Sequence, residues 1–120
     1  MIVLVDTSVW IEHLRCGVRD LSALLLEQAV LTHPFVTGEL ACGNLRDRTR
    51  ILDYLTKLAP AATASHDEVL WMIQERRLWE LGIGWIDAHL LASAVLSRCA
   101  LWTLDRRLRL AAARVGARLY

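Results

Sequence analysis

The stretch Ile2-Val3-Leu4-Val5-Asp6 decides the fold class, because it is a wholly apolar, largely β-branched run that ends in a carboxylate. Such a run is typical of a buried central strand in a parallel sheet. In open α/β sheets, ligands bind beyond the carboxyl ends of the strands, so Asp6 is predicted to lie at a binding site. An aspartate in this place can also be no more than the N-cap of the next helix.

Helical and strand-like segments alternate along the rest of the chain. Asp20 and Ser65 are predicted N-caps, and Ser65 belongs to a capping box. The predicted helices cover residues 8–15, 20–29, a segment from Pro34 onwards, 45–58, 65–81, 86–98 and 106–114, and further strands cover 30–32, 61–64, 100–104 and 117–119. The alternation predicts a single α/β domain over residues 1–120, with a central parallel sheet between helices.

The composition excludes several classes of protein. The 120 residues carry a net charge of +1, so no global basic field indicates a nucleic-acid partner. No apolar run approaches the roughly 18 residues of a membrane span, and no basic leader indicates a signal peptide, so we expect a cytoplasmic protein without membrane contact. Lys57 is the only lysine. The other basic residues are arginines. Phosphate binding can explain this excess of arginine over lysine, and so can a bias in the base composition of the genome.

The cysteines do not indicate a zinc site or a disulfide framework. Cys16, Cys42 and Cys99 are odd in number, widely spaced and without a C-x-x-C motif. We therefore predict that they are buried, reduced thiols.

Three further carboxylates are predicted to join Asp6. Asp105 follows the predicted strand 100–104, although an N-cap role explains it equally well. Glu39 and Asp87 each lie on an apolar helix face and are expected to point inward, although a first-turn aspartate such as Asp87 also favours the helix dipole. The two faces contain Phe35, Val36, Cys42 and Gly43 around Glu39, and Leu90, Leu91, Ala94 and Val95 around Asp87.

These four carboxylates together predict a metal site. A buried charge is costly unless it is paired or bound to a metal, and no lysine lies near any of them in the sequence. Carboxylates with water are the natural ligands of Mg²⁺ or Mn²⁺. No P-loop, G-x-G-x-x-G or H-E-x-x-H motif competes with this interpretation. The scattered histidines are predicted to be structural or exposed: His13, His33, His66 and His89.

Four segments of this sequence together resemble the PIN domain, and in particular the VapC toxins of bacterial toxin–antitoxin pairs. The segments span most of the chain: Val3-Leu4-Val5-Asp6-Thr7-Ser8-Val9-Trp10-Ile11, Thr37-Gly38-Glu39-Leu40, Ile86-Asp87-Ala88-His89-Leu90-Leu91-Ala92-Ser93-Ala94 and Leu101-Trp102-Thr103-Leu104-Asp105-Arg106-Arg107-Leu108. The sequence departs from the pattern at Leu104, where the family often has a basic residue. This departure bears on RNA contacts rather than on metal binding.

The resemblance implies a toxin that is a magnesium-dependent endoribonuclease, with Mn²⁺ as a substitute, on a three-layer α/β/α fold. It implies that a metal-activated water cleaves RNA to leave a 5′-phosphate. The implied catalytic and metal-binding residues are Asp6, Glu39, Asp87 and Asp105, with Asp6 and Asp87 as direct ligands. The implied partners are RNA, a VapB-like antitoxin and a second copy in a homodimer, and the 55% hydrophobic content agrees with such a dimer.

Other residues around these acids have supporting roles in this interpretation. Thr7, Ser8 and Thr103 are expected to orient carboxylates or water. The arginines after Asp105 are expected to bind RNA, although a solvated helix face explains them too: Arg106, Arg107 and Arg109. Trp85, between Gly84 and Asp87, is either a core residue or a surface on which a base stacks.

Two other classes of function stay open at this stage. A phospho-receiver domain has a similar length and an acidic pocket, and Asp53 lies near the middle of the chain. A receiver also needs an acidic pair after its first strand and a late lysine, and neither is present. The second alternative is a PIN-like module that binds RNA without cleaving it.

Overall fold

A four-stranded parallel sheet forms the centre of the computed structural model, which describes residues 1–120. Its strands are β1 (Val3–Val5), β2 (Val30–Thr32), β3 (Ala59–Pro60) and β4 (Ala100–Trp102), in the order β3-β2-β1-β4. The run that ends at Asp6 is therefore a central strand, and all three of its residues are fully buried. This confirms the predicted parallel sheet.

Seven α-helices cover the sheet in a three-layer α/β/α arrangement. They are α1 (Thr7–Cys16), α2 (Arg19–Leu26), α3 (Pro34–Ala41), α4 (Arg48–Thr56), α5 (His66–Arg76), α6 (Trp85–Ser97) and α7 (Arg106–Val115), and a short 3-10 helix spans Leu78–Leu81. Ser65 forms the predicted capping box with Glu68. Pro34 occupies the first turn of α3, where its missing N–H costs nothing.

Several predicted boundaries are wrong. Residues 61–64 form no strand, and the third strand is Ala59–Pro60 instead. Proline is acceptable there because β3 lies at the edge of the sheet. The predicted strand 117–119 is reduced to one bridge between Leu119 and Leu101, and the predicted strand 100–104 ends at Trp102.

The helix predictions fail mainly at turns that need special backbone angles. The predicted helix 65–81 is interrupted at Arg77, which adopts a left-handed conformation (φ 54°). The helix predicted from residue 45 begins only after Asp47, which is also left-handed. Val18, not Asp20, is the N-cap of α2, and Asp20 lies in its first turn, where a carboxylate favours the helix dipole.

The core lies around β1 and β4. Some side chains that were predicted to be buried are exposed instead. Cys99 is buried as predicted, but Cys16 and Cys42 are exposed free thiols. Trp10 is buried, whereas Trp71, Trp79 and Trp85 are exposed. No helix is long and apolar enough to cross a lipid bilayer.

Candidate active site

Asp6 lies where the two central strands end side by side. Its backbone N–H donates to the carbonyl of Trp102 at 2.9 Å, which continues the pairing of β1 with β4. Thr103 therefore follows β4 at the level where Asp6 follows β1. Because strands in a parallel sheet end at the same edge, residues nearly a hundred positions apart meet here.

Three residues surround the carboxylate of Asp6, and we call them the Asp6 collar: Thr7, Ser8 and Thr103. The N–H of Thr7 donates to Oδ1 at 2.7 Å. The hydroxyls of Ser8 and Thr103 donate to Oδ2 at 2.8 and 2.6 Å. Only 5% of Asp6 is exposed, and these charge-assisted hydrogen bonds offset the cost of burying its charge.

The collar connects Asp6 to two of the other acids. The Thr7 hydroxyl donates to Glu39 Oε1 at 2.7 Å. The Thr103 hydroxyl accepts from the N–H of Asp105 at 3.0 Å, and the Ser8 hydroxyl accepts from the N–H of Leu104 at 3.0 Å. One hydrogen-bond network thus joins Asp6, Glu39 and the backbone of Asp105, with contributions from the first strand, α3 and the segment after β4.

Asp87 approaches this network from the first turn of α6. The N–H of Gly84 donates to its Oδ2 at 3.4 Å. Burial raises the pKa of Asp87 above its usual value, the Gly84 hydrogen bond opposes that rise, and the negative charges of the other three acids add to it. The other three are Asp6, Asp105 and Glu39. The four carboxylates therefore share one negative field.

The burial of these acids differs from the prediction. Asp6 is buried and Asp87 is half-buried, but Glu39 and Asp105 are exposed. The inward orientation predicted for Glu39 is wrong, because only Val36 of its four apolar neighbours is buried. No three acidic, histidine or cysteine side chains lie close enough together to hold one metal ion directly.

Asp105 has a structural task in addition to its place in this group. Its Oδ1 accepts from the N–H groups of Arg107 and Leu108 at 2.8 and 3.3 Å, which caps α7. The N-cap alternative is therefore observed, and Oδ2 has no hydrogen-bond partner within the chain. Both roles are compatible because they use different oxygens.

The arginines that follow Asp105 are exposed and form no ion pair. Arg109 donates to the carbonyl of Thr103 at 3.5 Å. The guanidinium of Arg107 lies beside Gly82, where an added Cβ would stand 3.4 Å from its Nη1, so the loop before α6 passes close to α7. Arg106 makes no side-chain hydrogen bond. By contrast, Arg48 is occupied, because it donates to the carbonyls of Ala41 and Gly43 at the end of α3.

An aromatic cluster beside the acids was not predicted from the sequence. The ring of His89 lies 4.8 Å from that of Phe35 and 4.6 Å from that of Trp85, measured between centroids. His33 and His66 complete it against Phe35 and Trp85. The available signals were the four-residue spacing of Trp85 and His89 and the position of Phe35 one turn before Glu39. The prediction that these histidines are structural or exposed did not reveal that they meet.

Comparisons with known proteins identify the family of this chain. The PIN domain family pattern matches residues 3–114. The chain is 46% identical over 118 residues to Ribonuclease VapC32 of Mycobacterium tuberculosis, in strains CDC 1551 / Oshkosh and H37Rv, covering 98% of this chain and 95% of that protein. The crystal structure of PAE2754 from Pyrobaculum aerophilum superposes with a TM-score of 0.64 at 19% identity, covering 99% of this chain and 83% of that one, which shows a shared fold.

The chain therefore belongs to the PIN domain family, as a ribonuclease of the VapC type. The phospho-receiver alternative is not favoured, because Asp53 is an exposed residue within helix α4 and pairs with Lys57 at 3.0 Å. The non-catalytic alternative is not favoured either, since the relatives that match along nearly the whole chain are named ribonucleases.

Proposed function

We propose that this protein is an endoribonuclease, which hydrolyses internal phosphodiester bonds of RNA. Its catalytic site consists of Asp6, Glu39, Asp87 and Asp105 with a bound Mg²⁺, for which Mn²⁺ can substitute. The observation that carries the proposal is the gathering of these acids at one sheet edge, where hydrogen bonds through Thr7 and Thr103 join Asp6 to Glu39 and to the backbone of Asp105. Burial, and to a smaller extent the charges of the other three acids, raises the pKa of Asp87. A bound cation would offset the repulsion among the four carboxylates. Residues 1–120 act as one nuclease domain in this proposal.

The oxygen atoms of the site suit such a cation. Asp87 Oδ1, Glu39 Oε2 and Asp105 Oδ2 accept no hydrogen bond from the protein, and Asp6 Oδ1 accepts only one, so each has acceptor capacity left. All are hard oxygen donors, which Mg²⁺ and Mn²⁺ prefer. Asp6 and Asp87 are the proposed direct ligands. Because Mg²⁺ usually keeps several waters, and no three of these side chains lie close enough to hold one ion directly, Glu39 and Asp105 complete the site through water in this proposal.

The protein's own residues fix the reacting groups. A bound cation supplies two effects, a lowered pKa of a bound water and neutralisation of phosphate charge. The Asp6 collar holds the buried carboxylate in one orientation, and Thr7 does the same for Glu39. In-line attack of water forms a new P–O bond and breaks the P–O3′ bond, which leaves a 5′-phosphate and a 3′-hydroxyl. Arg106, Arg107 and Arg109 are the proposed phosphate-binding residues beside the acids.

Substitution of single carboxylates tests the proposal. Asp6→Asn or Asp87→Asn keeps the shape of the side chain but removes its charge, so RNA cleavage with Mg²⁺ or Mn²⁺ should fall by orders of magnitude. Asp53→Asn is the matched control at an exposed position of α4 and should cleave like the wild type. Mass action predicts that either cation raises the melting temperature of the wild type. Equal shifts in the wild type and in the Asp6→Asn, Asp87→Asn double variant would refute the shared metal site.

A VapB-like antitoxin is the proposed partner, and a groove that reaches Glu39 supports this proposal. An open groove of about 680 Å³ runs between α1 and the start of α4. It is lined by Ile11, Leu14, Leu40 and Leu45, with Arg15 and Glu39 at its polar side. A segment bound in this groove therefore also touches one of the four acids. In this proposal the protein is a toxin that acts on cellular RNA in the cytoplasm.

A homodimer is also proposed, on the basis of exposed apolar side chains. Leu70 and Trp71 are neighbours on α5, and both are exposed. Burial of such side chains against a second copy removes apolar surface from water. Sedimentation should then give twice the mass of the chain, and Trp71→Glu should shift it towards the monomer.

A further inference from the structure

The aromatic cluster consists of two partly exposed rings that pack on two buried histidines. Trp85 and Phe35 are 38% and 36% exposed, whereas His89 and His33 behind them are almost completely buried. Both open rings meet His89 edge-on, at interplanar angles of 82° and 67°. His66 and His33 also lie against Trp85 and Phe35, at centroid distances of 5.0 and 5.3 Å and interplanar angles of 56° and 62°. None of these rings is parallel to Trp85 or Phe35, and the exposed part of each ring remains open for contact.

The cluster spans the same two helices that carry two of the acids. Phe35 lies four residues before Glu39 on α3, so the two side chains are neighbours on one helix face. Trp85 begins α6 and precedes Asp87 by two residues. Phe35 is thus placed next to Glu39, and Trp85 is linked to Phe35 through the ring of His89. The two exposed rings lie on the helices that carry two of the four acids.

The chemistry of the cluster matches a base rather than a phosphate. It contains no arginine or lysine and no ion pair. The exposed Trp79 differs in this respect, because the guanidinium of Arg77 lies 5.8 Å from the centre of its ring. The cluster also holds a polar group without a partner, the buried Nε2 of His33. Open aromatic faces next to a phosphate-cutting site are suited to stacking with an unpaired nucleobase.

We propose that Trp85, with Phe35 as a second wall, binds one unpaired base of the RNA next to the phosphate that is cut. This inference rests on the proposed function, since it needs an RNA strand at the four acids. Trp85 acts as a positioning residue here: the stacked base fixes the strand so that one phosphate lies at the carboxylates. The site selects single-stranded RNA, because a base within a duplex cannot leave its own stack without cost.

The test begins with the cut sites. Total cellular RNA is treated with the wild type and Mn²⁺, and the new 5′-phosphate ends are sequenced. A short fluorescein-labelled oligonucleotide spanning the most frequent cut site is then bound to proteins in an uncleaving Asp87→Asn background. Trp85→Ala should weaken binding about 5- to 150-fold, the equivalent of one base stack, and Trp85→Phe should retain most of the affinity.

Oligonucleotides that lack one base at a time separate stacking from a structural role. With Trp85 present, removal of one particular base beside the cut site should weaken binding by a similar factor. With Trp85→Ala, the same removal should have no further effect, because the stack is already lost. Trp79→Ala is the matched control, since it removes another exposed tryptophan and should leave both affinities unchanged.

The outcomes distinguish this inference from the function on which it rests. If the wild type makes no cuts with Mn²⁺, the proposed function fails and this inference fails with it. If the wild type cuts RNA but Trp85→Ala and Trp85→Phe bind it like the parent protein, only the stacking site is refuted. A change in sedimentation of Trp85→Ala without a change in RNA affinity would assign the exposed ring to contact between two copies instead.

Discussion

Asp6 shows how a single residue can be both buried and charged. Its three donors come from the backbone of Thr7 and from the hydroxyls of Ser8 and Thr103. Because each donor satisfies part of the carboxylate, the free energy cost of burial falls without any positively charged partner. The charge therefore stays available for a ligand. A salt bridge at the same position would have neutralised it.

At this scale we predict that Thr103→Val destabilises the protein and impairs cleavage. Valine keeps the shape but removes the 2.6 Å hydrogen bond to Asp6 and the acceptor for the N–H of Asp105. The unfolding free energy should fall by about 1–3 kcal/mol, which denaturant titration measures. Thr103→Ser is the control that keeps the hydroxyl, and it should lose less stability and retain more activity. If both variants behave alike, the hydroxyl of Thr103 is not what holds Asp6.

His33 gives a second prediction at the residue scale, concerning pH. Burial, with a smaller contribution from nearby His89, lowers the pKa of His33 from 6.5 to about 4. Between these pH values the unfolded chain binds a proton that the folded protein does not, so stability is lost as the pH falls. The contribution of this one group to the slope should be about 1 kcal/mol per pH unit at most.

His33→Asn isolates that contribution. The Nδ1 of His33 caps α3 by accepting from the N–H of Phe35 at 3.0 Å, and asparagine is also a good N-cap. The variant should therefore keep the helix but have a shallower dependence of unfolding free energy on pH between 4 and 6.5. Parallel curves for the two proteins would show that His33 does not titrate as described.

At the scale of elements, α7 brings the acid group and the candidate RNA-binding surface together. Asp105 caps the helix with one oxygen, and the arginines on its first turns remain without ion pairs. The helix begins where β4 has just ended, so its first turn is fixed relative to Asp6 through Thr103. The guanidinium groups of these arginines can hold phosphates next to an acidic pocket that would otherwise repel them.

We predict that Arg106→Gln with Arg107→Gln weakens RNA binding through lost phosphate contacts. Each contact contributes about −0.7 to the slope of log affinity against log salt for a single strand. The double variant should therefore have a slope flatter by roughly one unit or more, measured in an Asp87→Asn background so that RNA stays intact. The stabilisation by metal should persist, because Asp105 is unchanged. An unchanged salt slope would direct attention to Arg46 and Arg50 instead, since Arg48 caps α3.

The elements also show what sequence could and could not predict. The parallel sheet and the meeting of Asp6 with Thr103 and Asp105 follow from apolar runs that end in polar residues, and the structure confirms that sheet. Local periodicity does not say which neighbours cover a helix face, so Glu39 was wrongly predicted to point inward. The left-handed conformation of Asp47 and Arg77 is uncommon for residues other than glycine, and neither helix boundary is marked by a glycine in the sequence. The aromatic cluster depends on contact between α3, α5 and α6, which no spacing within one helix reveals.

At the scale of the whole molecule, we predict that expression of this protein alone arrests growth. If the enzyme cuts cellular RNA and is held in check by an antitoxin, as proposed, the wild type expressed alone should stop growth within a few generations of induction. Asp87→Asn at equal protein level should relieve the arrest, and so should co-expression of the neighbouring antitoxin gene. Asp53→Asn should remain toxic. Abundant, folded wild-type protein that does no harm would contradict the role as a toxin while leaving the ribonuclease activity in place.

If the Asp6 collar is part of the catalytic centre, as proposed, it also sets the moment at which this enzyme can first act. Thr103 is 97 residues from Asp6, so a growing chain on the ribosome has its first carboxylate long before it has the hydroxyl that fixes it or the acid that follows. At ordinary speeds of translation this interval lasts roughly 5–20 s. Throughout it, the proposed catalytic centre is incomplete, so under this proposal the nascent polypeptide cannot cut RNA. Cleavage would begin only after the chain is released, when an antitoxin synthesised nearby could already be present.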